Sequence, residues 1–470
     1  MFDRLFQLKA NQTTVRTELL AGLTTFLTMA YIIFVQPAVL SGNMFGQPTG
    51  MDFGAVTVAT CLSAALASAI MGLYARYPIA QAPGMGENFF FVFSAIPAAT
   101  AAGFANPWAV ALGTVFVSGV LFLALSLVGV REAVMNSISP SMKHAIAAGI
   151  GLFIAFIGLQ NAGLIVKDPG TAVKLNPHFA SPDLVVFFVG LLVAAALHAR
   201  RVRGSILWGI GVATLLALAL KLALPHLGPG WADAKLIAES KLMTGFTLAP
   251  SVVAKPPSLA PTFFQFDLAG ALSLTMWPFI VIFLFMVFFD TVGTLIGVAE
   301  QAGFMKDNKL PRAQQAFVSD ATATIVGACL GTSTVTSYIE SAAGVEQGGR
   351  TGLTAVTVAV LFLVALFFSP LIAMVGSYPP ITAPALVLVG AMMLRNVEQI
   401  DWADHSELVP AFLLMLGIPL SYSIGDGLAL GFLSYPLVKL LSGRARDVNW
   451  VSYLLAVLLL LYFLFVRVRI

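Results

Sequence analysis

Residues 79–91 read IAQAPGMGENFFF and residues 331–344 read GTSTVTSYIESAAG. Both stretches sit among long apolar runs, yet both are too short and too polar to cross a membrane as ordinary helices. In the first, Pro83, Gly84 and Gly86 oppose a continuous helix. The chain is expected to run extended to about Gly86 and to start a short helix near Glu87 or Asn88. In the second, Thr332, Thr334 and Thr336 alternate as in a short strand, and a helical stretch is expected from about Ser337. Extended backbone at membrane depth is tolerated only where protein buries it or where it lines a cavity. Two half-helix N-termini would then point their free N–H groups at one central place, ready for a polar ligand. The competing reading makes both stretches surface re-entrant loops.

The rest of the chain supplies the membrane setting. Of 470 residues, 59% are hydrophobic and only 10% are charged. A soluble domain of this size could not cover its surface with so few charges. Secreted disulfide scaffolds, disordered chains and nucleic-acid binders are excluded on the same grounds. Cys61 and Cys329 lie in apolar runs and the five histidines are scattered, so no metal or cofactor is called for. There is no Gly-Lys dipeptide and so no Walker A loop, and the polar N-terminus has no signal-peptide h-region.

A hydrocarbon core of about 30 Å needs about 20 apolar residues per helix. Ordinary spans fall near 18–40, 55–75, 107–128, 143–160, 183–199 and 204–223, then near 269–300, 312–330, 352–372, 379–394, 406–420 and 426–441. With the two odd segments, near 79–94 and 332–346, the expectation is an all-α polytopic protein of 14 crossings. Charge sets the orientation: with a cytoplasmic N-terminus, 17 Lys and Arg fall inside, whereas the short outer loops hold only Lys167 and Lys174. Omitting either odd segment reverses the asymmetry downstream, so both are expected to cross. Residues 1–223 then form one seven-span repeat and 269–441 a second of inverted topology. The Pro-rich stretch 224–268 is an outer linker and 442–470 a tail whose apolar part, 449–466, lies at the interface. Inverted repeats around broken helices are an architecture of secondary transporters.

A carboxylate within a span costs about 2.5–3.5 kcal/mol on insertion scales, so each one demands a reason. The candidates are Glu87, Asp290, Glu300, Asp320 and Glu340. Asp290 shares a helical face with Gly293, Thr294, Gly297 and Gln301, and Glu340 one with Ser337, Ser341 and Gly344. These two acids are read as the ligand and proton site. Each acid also has a structural reading: Asp290 bonding a neighbouring helix, Glu340 capping a half-helix, and Glu87 a first-turn acid stabilised by the helix dipole. Glu300 and Asp320, nearer the inner face, are expected to pair with Lys306, Lys309 or Arg312. Phe89 and Phe90 adjoin the first broken span and are candidates to stack on a flat ligand.

FLTMAYIIFVQPAVL (26–40), APGMGENFFFVFS (82–94), FFDTVGTLIGVAEQAG (288–303) and GTSTVTSYIESAAGVEQGGRTGLTAV (331–356) resemble the AzgA-like purine permeases, a branch of the nucleobase–cation symporter 2 (nucleobase:ascorbate transporter) family. The resemblance covers nearly the whole chain. It implies 14 spans in two inverted repeats, a core domain from spans one to four and eight to eleven, and a gate domain from the remainder. It further implies homodimers joined through the gate and an elevator-like movement of the core. Asp290 then looks like the acid binding the nucleobase ring nitrogens, and Glu340 like its partner on the other edge. Asn88 matches a family Asn needed for transport, and Tyr31 lies in a matching motif. The chain departs from many members at Glu87, where they carry an apolar residue, and at Gln36, where they carry Asn.

The candidate substrate-binding set is Asp290, Glu340, Asn88, Glu87, Phe89, Tyr31, Thr294, Ser337 and Thr336, with Asp290 and Glu340 also carrying the coupling proton. A carboxylate accepts the N–H donors of a purine edge well. Burial disfavours the charged form, which lets such a group exchange a proton at physiological pH. The expectation is a proton-coupled purine importer of the cell (inner or plasma) membrane, in contact with lipid and with no nucleic-acid partner. An anion transporter of the same fold class is the alternative, disfavoured because the site is lined by acids. An enzyme would need a nucleophile–base or metal constellation, and none is present.

Overall fold

The computed structural model describes residues 5–128, 139–226, 234–304 and 310–461. Ten of the described helices are long and apolar enough to cross a membrane, beginning with Val15–Leu40 and ending with Ile424–Leu441. His405–Ser421 is apolar but shorter, and Ala313–Leu330 is helical but rich in small and polar residues.

The two odd segments are both interrupted. Strand β1 (Gln81–Pro83) leads into a helix at Met85–Phe90, which widens into a π turn at Phe91–Ala95 and continues as Ile96–Ala101. Two short strands, β2 (Ile165–Asp168) and β3 (Ala172–Leu175), lie in the loop between Pro140–Asn161 and Pro182–Ala199. Strand β4 (Val335–Ser337) precedes a helix at Ser341–Glu346. Strands β1 and β4 pair antiparallel, Gln81 opposite Ser337 and Pro83 opposite Val335. The ladder extends one bond at each end, from Gly84 N–H to Thr334 C=O and from Tyr338 N–H to Ala80 C=O, each 3.0 Å. A lone two-stranded ribbon is marginal in water; here it is buried on both faces.

The boundaries differ from expectation by a few residues, for local reasons. The first half-helix starts at Met85 because Gly84, in extended geometry, already supplies the carbonyl that Asn88 N–H reaches. Ser337 stays in the strand because its backbone N–H and hydroxyl are both held by Asp320.

Around this ribbon the helices pack in two groups. Val15–Leu40 and Phe53–Ala75 pack on Gly352–Ala365, and Pro107–Val128 packs on Ala313–Leu330 and Trp277–Gln301. In the other group Pro140–Asn161 packs on Pro379–Met393 and His405–Ser421, with Pro182–Ala199 against Ser205–Ala223 and His405–Ser421 against Ile424–Leu441. Glycine makes a close crossing in each group possible. A Cβ on Gly352 would run into the backbone of Gly72, and one on Gly390 into the carbonyl of Gly151.

The linker is not wholly irregular, since Ala234–Ala238 and Lys241–Thr244 are short helices. The hairpin of β2 and β3 was not anticipated. Lys174 pairs with Asp168 across it at 2.6 Å and, with the N–H groups of Gly170 and Thr171, holds the Asp168 carboxyl below the usual range. In the tail, Trp450–Leu461 is helical and packs on Ile424–Leu441.

Candidate functional site

Where β1 meets β4, four carboxylates converge from different elements. Asp290 comes from the middle of Trp277–Gln301, Asp320 from Ala313–Leu330, Glu87 from the first half-helix and Glu340 from just before the second. The Asp290 carboxylate lies near enough to the other three for like-charge repulsion. Their surroundings are quite different.

Asp290 is exposed, and Gly293 one turn on is exposed as well, with open space where a Cβ would stand. A carboxylate at this depth does not face lipid, so it lines a cavity. Thr336 reaches Asp290 from β4. Glu340 is half-buried. It occupies the residue before the Ser341–Glu346 helix but makes no cap bond; its carboxylate instead accepts the Tyr31 hydroxyl at 2.9 Å. Tyr31 is itself buried. Tyr31 and the N–H of Glu340 itself together hold the Glu340 carboxylate. Thr294 and Ser337, also among the candidates, are buried beside these groups.

Asp320 departs from the expected pairing with Arg312. Among the described residues it pairs with no basic side chain: the Arg312 guanidinium lies over the Tyr77 ring at 4.9 Å, and Lys306 and Lys309 lie outside the described residues. Asp320 is fully buried and accepts the Thr291 hydroxyl at 2.6 Å, the Ser337 hydroxyl at 2.8 Å and the Ser337 N–H at 3.3 Å. Position along its own span placed it near the inner face; the return of the chain through β4 brings Ser337 down to it. The side chain of Glu300 lies outside what is described.

At the second half-helix, leading N–H groups expected to be free are engaged. Ser341 and Ala342 N–H bond to the carbonyls of Tyr338 and Ile339 in a tight turn. Glu87 stands at the third position of its half-helix, 3% exposed, and folds back on its own N–H and against Gly84. It thus satisfies a first-turn N–H of its own helix, while the Gly84 N–H goes to the Thr334 carbonyl.

Asn88 and Phe89 sit behind the centre. Asn88 donates to Gln36 and accepts the Ser333 hydroxyl, while Gln36 donates to Thr332 at 2.7 Å. The chain of amides and hydroxyls ties Val15–Leu40 and the first half-helix to the approach of β4. Phe89 is fully buried, stacked on Phe93 and edge-on to Phe153. Two further residues emerge from the structure. Tyr338 is packed among the acids and donates to the Pro83 carbonyl at 2.5 Å. Glu18, fully buried, accepts from Arg350 N–H at 2.9 Å, Thr351 N–H at 3.2 Å and the Thr354 hydroxyl at 2.6 Å. It therefore caps the Gly352–Ala365 helix from the first span.

Apolar helices around an acid-lined centre made by two half-helices define a multi-pass membrane protein of the transporter type. A model of the Permease family, the xanthine/uracil permeases, matches residues 16–425, and the chain belongs to that family. It is 43% identical to the guanine/hypoxanthine permease PbuG of Bacillus subtilis (strain 168), over 98% of this chain and 99% of the relative. It is 40% identical to the adenine permease AdeP of Escherichia coli (strain K12), over 99% and 96%. Among solved structures it is similar to the transmembrane domain of the cyanobacterial bicarbonate transporter BicA, with a TM-score of 0.57 at 14% identity over 88% of this chain and 97% of that one. At that identity the likeness speaks to fold alone.

Proposed function

We propose that the protein imports purine nucleobases by proton symport, with Asp290 and Glu340 holding opposite edges of the base. The observation that carries this reading is the pair itself: two acids at membrane depth, one open to a cavity and one presented by Tyr31. Relatives named for guanine, hypoxanthine and adenine transport support the substrate class. Carboxylates suit the ring and exocyclic N–H donors of those bases. They suit an anion poorly, and the bicarbonate transporter shares the fold at too low an identity to argue otherwise.

The same reading takes 14 crossings in two inverted repeats, with the N-terminus cytoplasmic. The packing supports it. Advancing each span number by seven, modulo fourteen, turns the contact of the first span with the eleventh into that of the eighth with the fourth, and both occur. The two groups of helices then correspond to a moving core and a gate, the gate supporting a homodimer. Glu87, folded on its own helix, is assigned to the cap. Glu87→Gln is expected to cost about 0.5–2 kcal/mol of stability and to leave the rank order of competing purines unchanged. A reordered ranking would make it a substrate contact.

Uptake of radiolabelled adenine, guanine, hypoxanthine, xanthine and uracil by cells expressing the protein tests the proposal. Accumulation of at least one purine should collapse with a protonophore and persist without sodium. Sodium-dependent uptake indifferent to protonophore would reject proton symport, and uptake of uracil alone would reject the substrate class.

A further inference from the structure

On one side of the acid centre the protein is open, and on the other it is shut by aromatic rings. The open side runs from Asp290 along Gly293 and past Ile339, which is 51% exposed. This direction leads toward the end of the Trp277–Gln301 helix that the charge pattern places inside. The shut side begins at the π turn Phe91–Ala95, where the half-helix leaves the centre. A π turn adds a residue to one turn and often marks a functional position. Here Phe93 and Ser94 meet the chain reversal between His405–Ser421 and Ile424–Leu441.

The contact has two parts. The Phe93 ring stands edge-on to Tyr422 at 5.0 Å, with Phe153 filling the angle at 6.0 Å from Phe93 and 5.3 Å from Tyr422. Phe45 closes on Phe93 from behind at 4.7 Å. Beside the rings, the Ser94 and Ser423 hydroxyls lie 3.2 Å apart, within hydrogen-bond distance. Tyr422 is a non-glycine residue at φ 57°, an unfavourable backbone for its side chain. Its hydroxyl donates to Gln160 at 2.9 Å, which fixes the ring over the contact. Phe93 and Ser94 belong to the helices around the acids, whereas Phe153, Tyr422 and Ser423 belong to the second group. The acid site does not call for this pairing.

We propose that this aromatic layer, latched by Ser94 and Ser423, is the closed outer gate, and that it parts when the site opens outward. The inference rests on the reading of the chain as an alternating-access carrier. It assigns the present conformation to the inward-facing state. Aromatic edge-to-face contacts and one neutral hydrogen bond suit a gate that must reopen, since each is individually weak.

The test is a Ser94→Cys, Ser423→Cys double variant in membranes, with each single variant alongside because Ser423 also caps its helix. Copper–phenanthroline accepts the two electrons as the thiols lose two protons and join. A disulfide should form readily, uptake should fall about tenfold or more as one state is locked, and reductant should restore it. Uptake that survives complete crosslinking would overturn the proposal, as would failure of the expressed pair to crosslink. A readout independent of substrate separates this from the purine assignment. With the pair locked, an added Ile339→Cys should react with an impermeant maleimide from the inner face and not from the outer face. Labelling from the outer face of the locked protein would overturn the gate, whatever the substrate proves to be.

Discussion

Asn in place of Asp290, or Gln in place of Glu340, is expected to abolish accumulation of purine while leaving the protein inserted and folded. Each substitution keeps the side-chain shape and removes the negative charge. A charged hydrogen bond to substrate contributes about 1.5–3 kcal/mol, so affinity should fall about ten- to hundred-fold. Loss of the titrating group should remove coupling as well, so that even saturating purine is not concentrated. Insertion should not suffer, because a charge in a span costs about 2.5–3.5 kcal/mol to place there. Tyr31→Phe removes only the group that orients Glu340 and should be milder than either. Uptake at several purine concentrations, with surface quantities of protein measured in parallel, checks the series. Normal transport by both neutral variants would remove the two-acid site.

A second large effect is expected at Asp320, through stability rather than contact. Asp320→Ala removes the acceptor of two hydroxyls, Thr291 and Ser337, and of the Ser337 N–H in a fully buried place, leaving Thr291 only the Thr336 hydroxyl at 3.4 Å. Each buried group left unpaired costs about 1–3 kcal/mol. The register of β4 against β1 depends on Ser337, which sits opposite Gln81, so the ribbon itself should loosen. The variant should melt several degrees lower in detergent and transport nothing. Asp320→Asn, which retains one acceptor oxygen, should fall between it and wild type. An Asp320→Ala protein of undiminished melting temperature would contradict the role.

The two broken spans were legible because their signals are local. Pro83 and Gly84 refuse a helix, and alternating threonines favour a strand. Asp290 and Glu340 were legible because an acid in an apolar run carries a cost that needs a reason. Contacts made across the fold were not legible. Asp320 meets Ser337 only because the chain doubles back after Gly331, and nothing along its own span says so. Glu18 caps a helix more than three hundred residues away in the same fashion. At the second half-helix the N–H groups of Ser341 and Ala342 are not free, because a tight turn through Tyr338–Glu340 uses them internally. The hairpin at β2 and β3 did carry a signal, Asp168-Pro169-Gly170 between short β-rich runs. That signal is short and sits in a loop whose length and charge alone read as a connection.

The most direct measurement is equilibrium binding of labelled guanine, hypoxanthine and adenine to purified protein, in wild type, Asp290→Asn and Glu340→Gln. Binding needs no gradient, so it isolates the acid pair from coupling and from gate movement. Wild type should bind at least one purine saturably and compete it with the others, and each neutral variant should bind about ten- to hundred-fold more weakly. Wild-type affinity retained in both variants would contradict a purine held between Asp290 and Glu340.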